Sequence, residues 1–214
     1  LGIDVRVWAH ETGLRDFSPI LADMKAYSPK VFCGFSYTTD AILILETMKE
    51  MKINIPLVFG SAGYEATEFG MELGKDAEFC FAGFPWWWSE KVPELKRIAE
   101  EYEKMWGEPI DCPAGEYSIS PWLIKEAIEK AQSLDPDKIR ETLLKMDISD
   151  PYHPAVIGYG GKGVKFDDAG CNLYTGTCYT QWKEDPAKPG TVKLVTVYPP
   201  ELQEMAPVYP KPAW

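Results

Sequence analysis

The sequence has few of the residues that build metal and phosphate sites. Two histidines, His10 and His153, accompany five cysteines, and no CxxC pair occurs. A structural zinc site takes four closely spaced Cys or His ligands, so none is expected. The glycine-rich stretch from Gly158 to Gly161 lacks the following Lys-Ser/Thr and helix start of a phosphate-binding loop. No GxGxxG motif follows a predicted strand. We therefore expect no metal and no cofactor.

Signs of catalysis are also few. Ser118 and Ser120 do not lie in a GxSxG nucleophile elbow. His10 follows a predicted strand and His153 lies in the loop PYHPA, so neither is expected near a nucleophile. The sequence therefore predicts that this protein is not an enzyme.

Positive charge and long apolar runs are scarce. The chain has 22 Lys and Arg against 33 Asp and Glu, a formal charge of −11. This balance disfavours nucleic acid and anionic membrane surfaces as partners. No apolar run approaches the roughly 20 residues of a membrane span. The 214 residues suit one large domain or two small ones. Because the chain opens with leucine rather than an initiator methionine, we expect a fragment or a processed product.

The five cysteines permit more than one interpretation. Cys33 and Cys80 lie in apolar, strand-like runs and are expected to be buried small hydrophobes. Cys171 and Cys178 flank a Thr-Gly-Thr segment and are placed to face each other across a hairpin. A disulfide between them and two free thiols are both consistent with the sequence. An odd count leaves one thiol unpaired within the chain.

Residues 16–62 alternate between helix and strand patterns. Ser18 and Pro19 predict a helix start, and Pro29 ends that helix. The apolar runs predict strands at Gly2–Ala9, Val31–Phe35 and Ile53–Phe59, with a helix opening at Thr38 or Thr39 between the last two. Alternation of this kind predicts a parallel sheet flanked by helices, that is, an α/β fold.

Parallel sheets of this kind bind small molecules at the carboxyl ends of their strands. Six residues at or just after the predicted strand ends are therefore candidate ligand-binding residues: Phe35, Ser36, Tyr37, Ser61, Ala62 and Tyr64.

The later residues predict a helix-rich part followed by short strands. Predicted helices cover Ala66–Leu73, Val92–Trp106, Tyr117–Gln132 and Asp137–Met146. Predicted strands cover Glu78–Phe84, Val164–Phe166, Leu173–Trp182 and Val192–Tyr198. The proline-rich tail from Pro199 to Trp214 is expected to be extended on the surface.

The order of these segments resembles a known family, the type I periplasmic substrate-binding proteins of branched-chain amino acid (leucine/isoleucine/valine) ABC transport. The matching segments are DFSPILADMKAYSPKVF, ETMKEMKINIPLVFGSAG, PELKRIAEEYEKMWGEP, EYSISPWLIKEAIEKA, SLDPDKIRETLLKM, VKFDDAG and YTQWKED. The resemblance covers nearly the whole chain and implies a bilobed α/β fold with hinge crossovers and a ligand in the interlobe cleft.

The resemblance also implies how the chain is divided. Residues 1–85 are expected to form the second lobe, 86–150 to be helices of the first lobe, 151–198 to be crossover strands, and 199–214 to be the tail. Family members are longer, so this chain is expected to lack much of the first lobe. The apolar helix faces left uncovered predict a possible homodimer of the fragment.

The implied function is ligand binding outside the cytoplasm. The resemblance implies a periplasmic or extracellular protein that delivers a small ligand to an ABC permease in the membrane. A receptor domain that senses a ligand uses the same fold and remains an alternative.

The candidate site leaves the ligand class open. Amino-acid-binding relatives carry a glutamate for the ligand ammonium in a turn that aligns with Ala62. A buried ammonium needs a paired carboxylate or several acceptors, and Asp40, Glu65 or Glu116 are possible substitutes. Aromatic residues near strand ends, including Phe84 and Trp86, are expected to form an apolar wall. A small apolar amino acid is the favoured ligand, and an aromatic or other ammonium-free carboxylate is the alternative.

Overall fold

The computed structural model describes residues 2–84, 89, 91–157 and 162–214. Two compact units arise from the contacts within the chain. Unit 1 consists of Leu1–Ala82, Gln181–Leu194 and Pro207–Trp214, and unit 2 of Gly83–Thr180 and Val195–Ala206. The lobe boundaries inferred from the sequence remain predictions.

The helices of the described residues are α1 (Ser18–Tyr27), α2 (Thr38–Glu50), α3 (Thr67–Leu73), α4 (Pro93–Trp106), α5 (Cys112–Ala131), α6 (Pro136–Leu144) and α7 (Pro154–Ile157). The strands are β1 (Val31–Ser36), β2 (Leu57–Ala62), β3 (Phe81–Phe84), β4 (Asp147–Ile148), β5 (Val164–Lys165), β6 (Cys178–Glu184) and β7 (Val192–Tyr198). Short 3₁₀ helices cover Gly74–Ala77 and Pro200–Leu202. None of the described helices is both long and apolar enough to cross a membrane.

Among the described residues, five strands form one sheet in the order β1-β2-β3-β6-β7, and β4 pairs antiparallel with β5. β1 and β2 run parallel over six residue pairs, from Val31 opposite Leu57 to Ser36 opposite Ala62. β2 and β3 are also parallel, with Phe59 opposite Phe81. Parallel neighbours joined through helices confirm the predicted α/β fold class.

The core of unit 1 lies between this sheet and its helices. Tyr64 is its largest fully buried side chain, and the Trp182 indole N–H donates to the Tyr64 carbonyl at 2.8 Å. The cluster comprises Phe17, Leu21, Met24, Ala41, Ile44, Leu45, Met48, Ile53, Ile55, Val58, Tyr64, Phe69, Leu73, Ala77, Cys80 and Trp182. Burial of this apolar surface is the main force that holds unit 1 together.

The predicted strand at Gly2–Ala9 is wrong. The segment forms no ladder, and Ile3, Val5 and Val7 are 72–82% exposed. Side chains attach it to α1 instead, because Arg6 and the Trp8 indole both donate to Asp23, at 2.6 and 2.7 Å. Because this extended segment has no neighbouring strand, its backbone N–H and C=O groups form no ladder and are left to hydrogen-bond with water.

Several predicted boundaries differ from the structure, most of all the starts of β2, α5 and β6. β2 begins at Leu57 rather than Ile53, although Ile53 and Ile55 are buried in the preceding loop. α5 begins at Cys112 rather than Tyr117, because the Asp111 side chain accepts from the Ala114 N–H at 2.8 Å and caps the helix. β6 begins at Cys178 rather than Leu173. By contrast, β7 has the predicted bounds.

The end of the C-terminal tail, Pro207–Trp214, belongs to unit 1 and is held there by hydrogen bonds. The fully buried Gln181 side chain accepts from the Val208 N–H and donates to the Val208 carbonyl, both at 2.9 Å. Further along, the Lys211 N–H donates to the Pro56 carbonyl at 2.8 Å and the Trp214 indole to the Ile53 carbonyl at 3.1 Å. The predicted extended tail is therefore interrupted only by the Pro200–Leu202 turn.

Unit 2 contains α4 to α7 and the β4–β5 pair. α5 is its longest helix and packs against α6 and α7. His153 begins α7: its Nδ1 accepts from the Ala155 N–H at 3.1 Å, so its Nε2–H donates to Glu126 on α5. The hydrogen bond between His153 and Glu126 therefore links α7 to α5.

No disulfide joins any of the five cysteines. Cys80, Cys112 and Cys178 are buried, whereas Cys171 and Cys33 are exposed, so the expected burial is confirmed for Cys80 and wrong for Cys33. The disulfide between Cys171 and Cys178 that the sequence left open is therefore not formed. Instead, the buried Cys178 sulfur lies 3.5 Å from the Thr196 hydroxyl.

Candidate ligand-binding site

The carboxyl end of β1 presents two aromatic side chains to solvent. Phe35 is 73% exposed and Tyr37 is 71% exposed. Phe35 lies opposite Ser61 and Ser36 lies opposite Ala62 in the parallel ladder, so four of the predicted site residues meet at one sheet edge. Phe35 and Tyr37 offer exposed rings to a small ligand with an apolar part, whereas Ser36 between them is nearly buried, at 8% exposed.

The turn after β2 is built around Gly63. Its N–H donates to the Ser36 carbonyl at 2.8 Å, and a Cβ at this position would clash with the backbone of Tyr37 and Thr38. Ala62, just before it, is exposed and has a left-handed backbone with φ of 58°. This turn therefore brings Ala62 beside Ser36 and offers a methyl group where the family resemblance expects a carboxylate.

Tyr64 was predicted to be a ligand-binding residue, but its side chain lies in the core. It is fully buried beneath the turn, so its ring does not reach the surface of unit 1. Burial raises the pKa of the phenol, and the nearby Ser36 hydroxyl partly offsets this. The phenol oxygen makes no hydrogen bond of ordinary geometry with the described residues. Tyr64 is therefore a core residue beneath the candidate site.

Two predicted site residues cannot be placed. Phe84 ends β3, but its side chain lies outside the described part of the chain, as does all of Trp86. Their roles remain predictions.

A polar cluster at the same edge was missed by the sequence reasoning. His10 Nε2 lies 3.1 Å from the Ser36 hydroxyl, and His10 Nδ1 lies 3.1 Å from the Glu11 carbonyl. The expectation that His10 is remote from any nucleophile-type side chain is therefore wrong. The reason is that residues 2–9 form no strand, and the chain instead brings His10 back against β1, where its ring also packs on Phe17.

Asp40 completes this cluster from the first turn of α2. Its carboxylate is buried and lies 3.9 Å from His10 Nδ1. Both of its oxygens accept from the Gly13 N–H at 3.1 Å. A buried carboxylate held in this way places a negative charge behind Ser36. In the sequence, the signal for this cluster is an acidic residue in the first turn of a predicted helix. Asp40 is one of the possible substitutes for the glutamate that Ala62 replaces.

Metal binding finds no support in the part of the chain that the structure describes. Within residues 2–84, 89, 91–157 and 162–214, no group of three or more His, Cys, Asp and Glu side chains is arranged to hold an ion.

Comparison with known proteins agrees with the fold. A family described as "Periplasmic binding protein" matches residues 2–165. The chain therefore belongs to the periplasmic binding protein family, whose members bind solutes and are not enzymes.

Solved structures extend the comparison. A leucine-binding protein of Thermotoga maritima is 19% identical, with a TM-score of 0.69 over 88% of this chain and 50% of its own. A leucine-, isoleucine-, valine-, threonine- and alanine-binding protein of Brucella ovis in a closed conformation is 15% identical, with a TM-score of 0.68 over 91% of this chain and 51% of its own. A solute-binding protein of an ABC transporter from Rhodopseudomonas palustris, solved with 3,4-dihydroxybenzoic acid, is 16% identical, with a TM-score of 0.63 over 85% and 47%.

These likenesses show the fold, the type I periplasmic binding protein architecture. The chain spans about half the length of these relatives. Ligand and partners are therefore matters for proposal.

Proposed function

We propose that this protein is the solute-binding component of an ABC importer and binds a small apolar amino acid of the leucine, isoleucine or valine type. The observation that carries the proposal is the edge formed by Phe35, Ser36 and Tyr37, in a chain of the periplasmic binding protein family. The exposed rings suit an apolar side chain, and the neighbouring polar groups suit the charged end of an amino acid.

The proposed setting follows from the family. The protein acts in the periplasm or outside the cell and presents its ligand to a membrane permease. Two of the solved relatives named above are amino-acid-binding proteins, which supports this choice of ligand class. A ligand-sensing receptor with the same fold is the rival role.

A second ligand class is favoured by one specific observation. Ala62 offers no carboxylate to an ammonium, and an aromatic carboxylate needs none. The relative solved with 3,4-dihydroxybenzoic acid shares this fold. An ammonium-free carboxylate is therefore the alternative ligand.

Titration calorimetry and thermal shift with leucine, isoleucine, valine, benzoate and 3,4-dihydroxybenzoate test the two classes. A ligand that binds the native state raises its melting temperature. A response to the aliphatic amino acids alone supports the proposal, and a response to the aromatic acids alone supports the alternative. Absence of any response in both sets contradicts both and favours the sensor role with another ligand.

The aromatic edge is tested by substitution. Tyr37→Ala should weaken binding about tenfold or more, because a ring in contact with ligand contributes roughly 1–2 kcal/mol. Tyr152→Ala is the matched control, since Tyr152 is equally exposed but lies in unit 2 before α7. Equal affinities of the two variants would contradict a ligand at this edge.

The predicted homodimer is a separate proposal. It is supported by exposed apolar side chains on α4 and α5, such as Trp106 and Trp122. A light-scattering mass of a single chain at high concentration would contradict it.

A further inference from the structure

The surroundings of His10 determine where its proton lies. The Glu11 carbonyl and the Asp40 carboxylate both face Nδ1, at 3.1 and 3.9 Å. Both groups are acceptors, so Nδ1 carries the hydrogen of the neutral imidazole. Nε2 is then an acceptor, and the Ser36 hydroxyl, 3.1 Å away, donates its hydrogen to it.

This assignment fixes the polarity of Ser36. A serine hydroxyl has one hydrogen to donate and two lone pairs that accept. With its hydrogen directed to His10, Ser36 Oγ offers only lone pairs to any other group, and the Tyr64 phenol is one such neighbour. The residue thus recognises N–H donors and not carboxylate oxygens.

The cluster also carries negative charge. The buried Asp40 carboxylate lies on the far side of His10 from Ser36, and backbone N–H donation from Gly13 keeps it in place. Ser36 itself lies opposite Ala62 in the β1–β2 ladder. The Ser36 oxygen and the Asp40 charge therefore lie on the side of the sheet where Ala62 replaces the glutamate of amino-acid-binding relatives.

We propose that Ser36 Oγ accepts a hydrogen bond from the ammonium group of the ligand, with His10 as the positioning residue and Asp40 as the source of the balancing charge. This inference rests on the proposed function and specifies how an amino acid is held although Ala62 has no carboxylate. It assigns to unit 1 the recognition of the ammonium end.

The first test measures the His10 tautomer directly. Nitrogen-15 NMR of the unaltered protein at neutral pH should show a hydrogen on Nδ1 and an unprotonated Nε2, and Ser36→Ala should shift the Nε2 resonance. A hydrogen on Nε2 in the neutral ring would overturn the inference. The readout does not depend on any ligand, so it stands apart from the proposed function.

The second test compares leucine with 4-methylpentanoate, which has the same shape without the ammonium. Ser36→Ala and His10→Phe should each weaken leucine binding about tenfold or more, because a hydrogen bond to a charged group is lost or reversed. Binding of 4-methylpentanoate should be unchanged. His10→Gln, whose amide oxygen accepts from Ser36, should retain more leucine affinity than His10→Phe. Ser120→Ala, on the exposed face of α5, is the control.

The outcomes separate the two proposals. Leucine binding that is unaffected by Ser36→Ala and His10→Phe contradicts the inference alone. Equal loss for leucine and 4-methylpentanoate shows that Ser36 does not read the ammonium and also contradicts it. If the unaltered protein binds aromatic acids but no amino acid, the amino-acid function and the ammonium site are both contradicted.

Discussion

The phenol ring of Tyr64 occupies the space that a side chain on Gly60 would need. Gly34, the partner of Gly60 in the β1–β2 ladder, lies under the same ring. Two adjacent glycines thus form a shallow depression in the sheet, and the ring fills it. Close packing of this kind tolerates little added volume.

Gly60→Ala should therefore lower the free energy of unfolding by about 1–3 kcal/mol, because the new methyl group collides with the Tyr64 ring. Urea unfolding followed by circular dichroism measures the change. Tyr64→Ala in the same chain removes Cγ and Cδ2, the two ring atoms nearest the new methyl group, so the effects of the two substitutions should not add. Strict additivity would show that the contact is not the cause.

Gln181→Met should destabilise the protein by about 2–4 kcal/mol, because it removes the two bonds to Val208 and a third, at 3.1 Å, to the Phe79 carbonyl. Hydrogen exchange at the Val208 amide should accelerate more than exchange within α2. Gln132→Met is the control and should change stability by less than about 1 kcal/mol, since Gln132 is exposed at the end of α5. Unchanged protection of Val208 would refute a role of Gln181 in holding the tail.

Glu126 should make unit 2 sensitive to acid. Partial burial acts to raise the pKa of Glu126, but hydrogen bonds from Lys130 and His153 outweigh it, so the pKa lies below its ordinary value of 4.5. A lowered folded-state pKa gives stability that is complete above the unfolded pKa and is lost as the pH falls through the folded pKa. We expect a loss of about 1 kcal/mol between pH 6 and pH 3 from this group.

Glu126→Gln should flatten that part of the pH profile of stability. Glu100→Gln, on the exposed face of α4, is the matched control because Glu100 forms a loose pair with Lys96 at 4.0 Å. Thermal melts over the acid range compare the two variants. The same acid slope in both would exclude Glu126 as its source.

The thiols should differ in reactivity. Alkylation at pH 8 should modify Cys171 first, then Cys33, which is exposed but whose pKa is raised by desolvation of its thiol. Cys80 should stay unmodified in the native protein, because complete burial raises its pKa to about 12. Peptide mass spectrometry gives the order. A mass change of two hydrogens on reduction would instead reveal a disulfide.

Local signals predicted the elements that begin and end at prolines or glycines. Pro19 and Pro29 delimit α1, and Gly107, with φ of 78°, ends α4 as expected. The start of α5 was missed because Cys112-Pro-Ala-Gly115 has the composition of a loop. Asp111 as N-cap and a proline in the first turn mark a helix start instead.

The exposed rings at the end of β1 could be predicted because position along a parallel strand determines the edge at which a residue lies. The burial of Tyr64 could not, since it requires that two glycines 26 residues apart become ladder partners. The same holds for His10 and Ser36, whose contact depends on a segment that was expected to be a strand.

The sequence by itself determined the α/β class, most of the helices and strands, and the edge at which a ligand is expected, and the resemblance of whole segments indicated the family. The helices and strands depend on hydrophobic period and on turn residues, which act over a few residues. Only the tertiary structure decided that Tyr64 belongs to the core, that no disulfide joins the cysteines, and that His10 and Asp40 lie with Ser36. Those outcomes depend on contacts between distant residues, which form only when apolar surfaces pack and buried polar groups find partners.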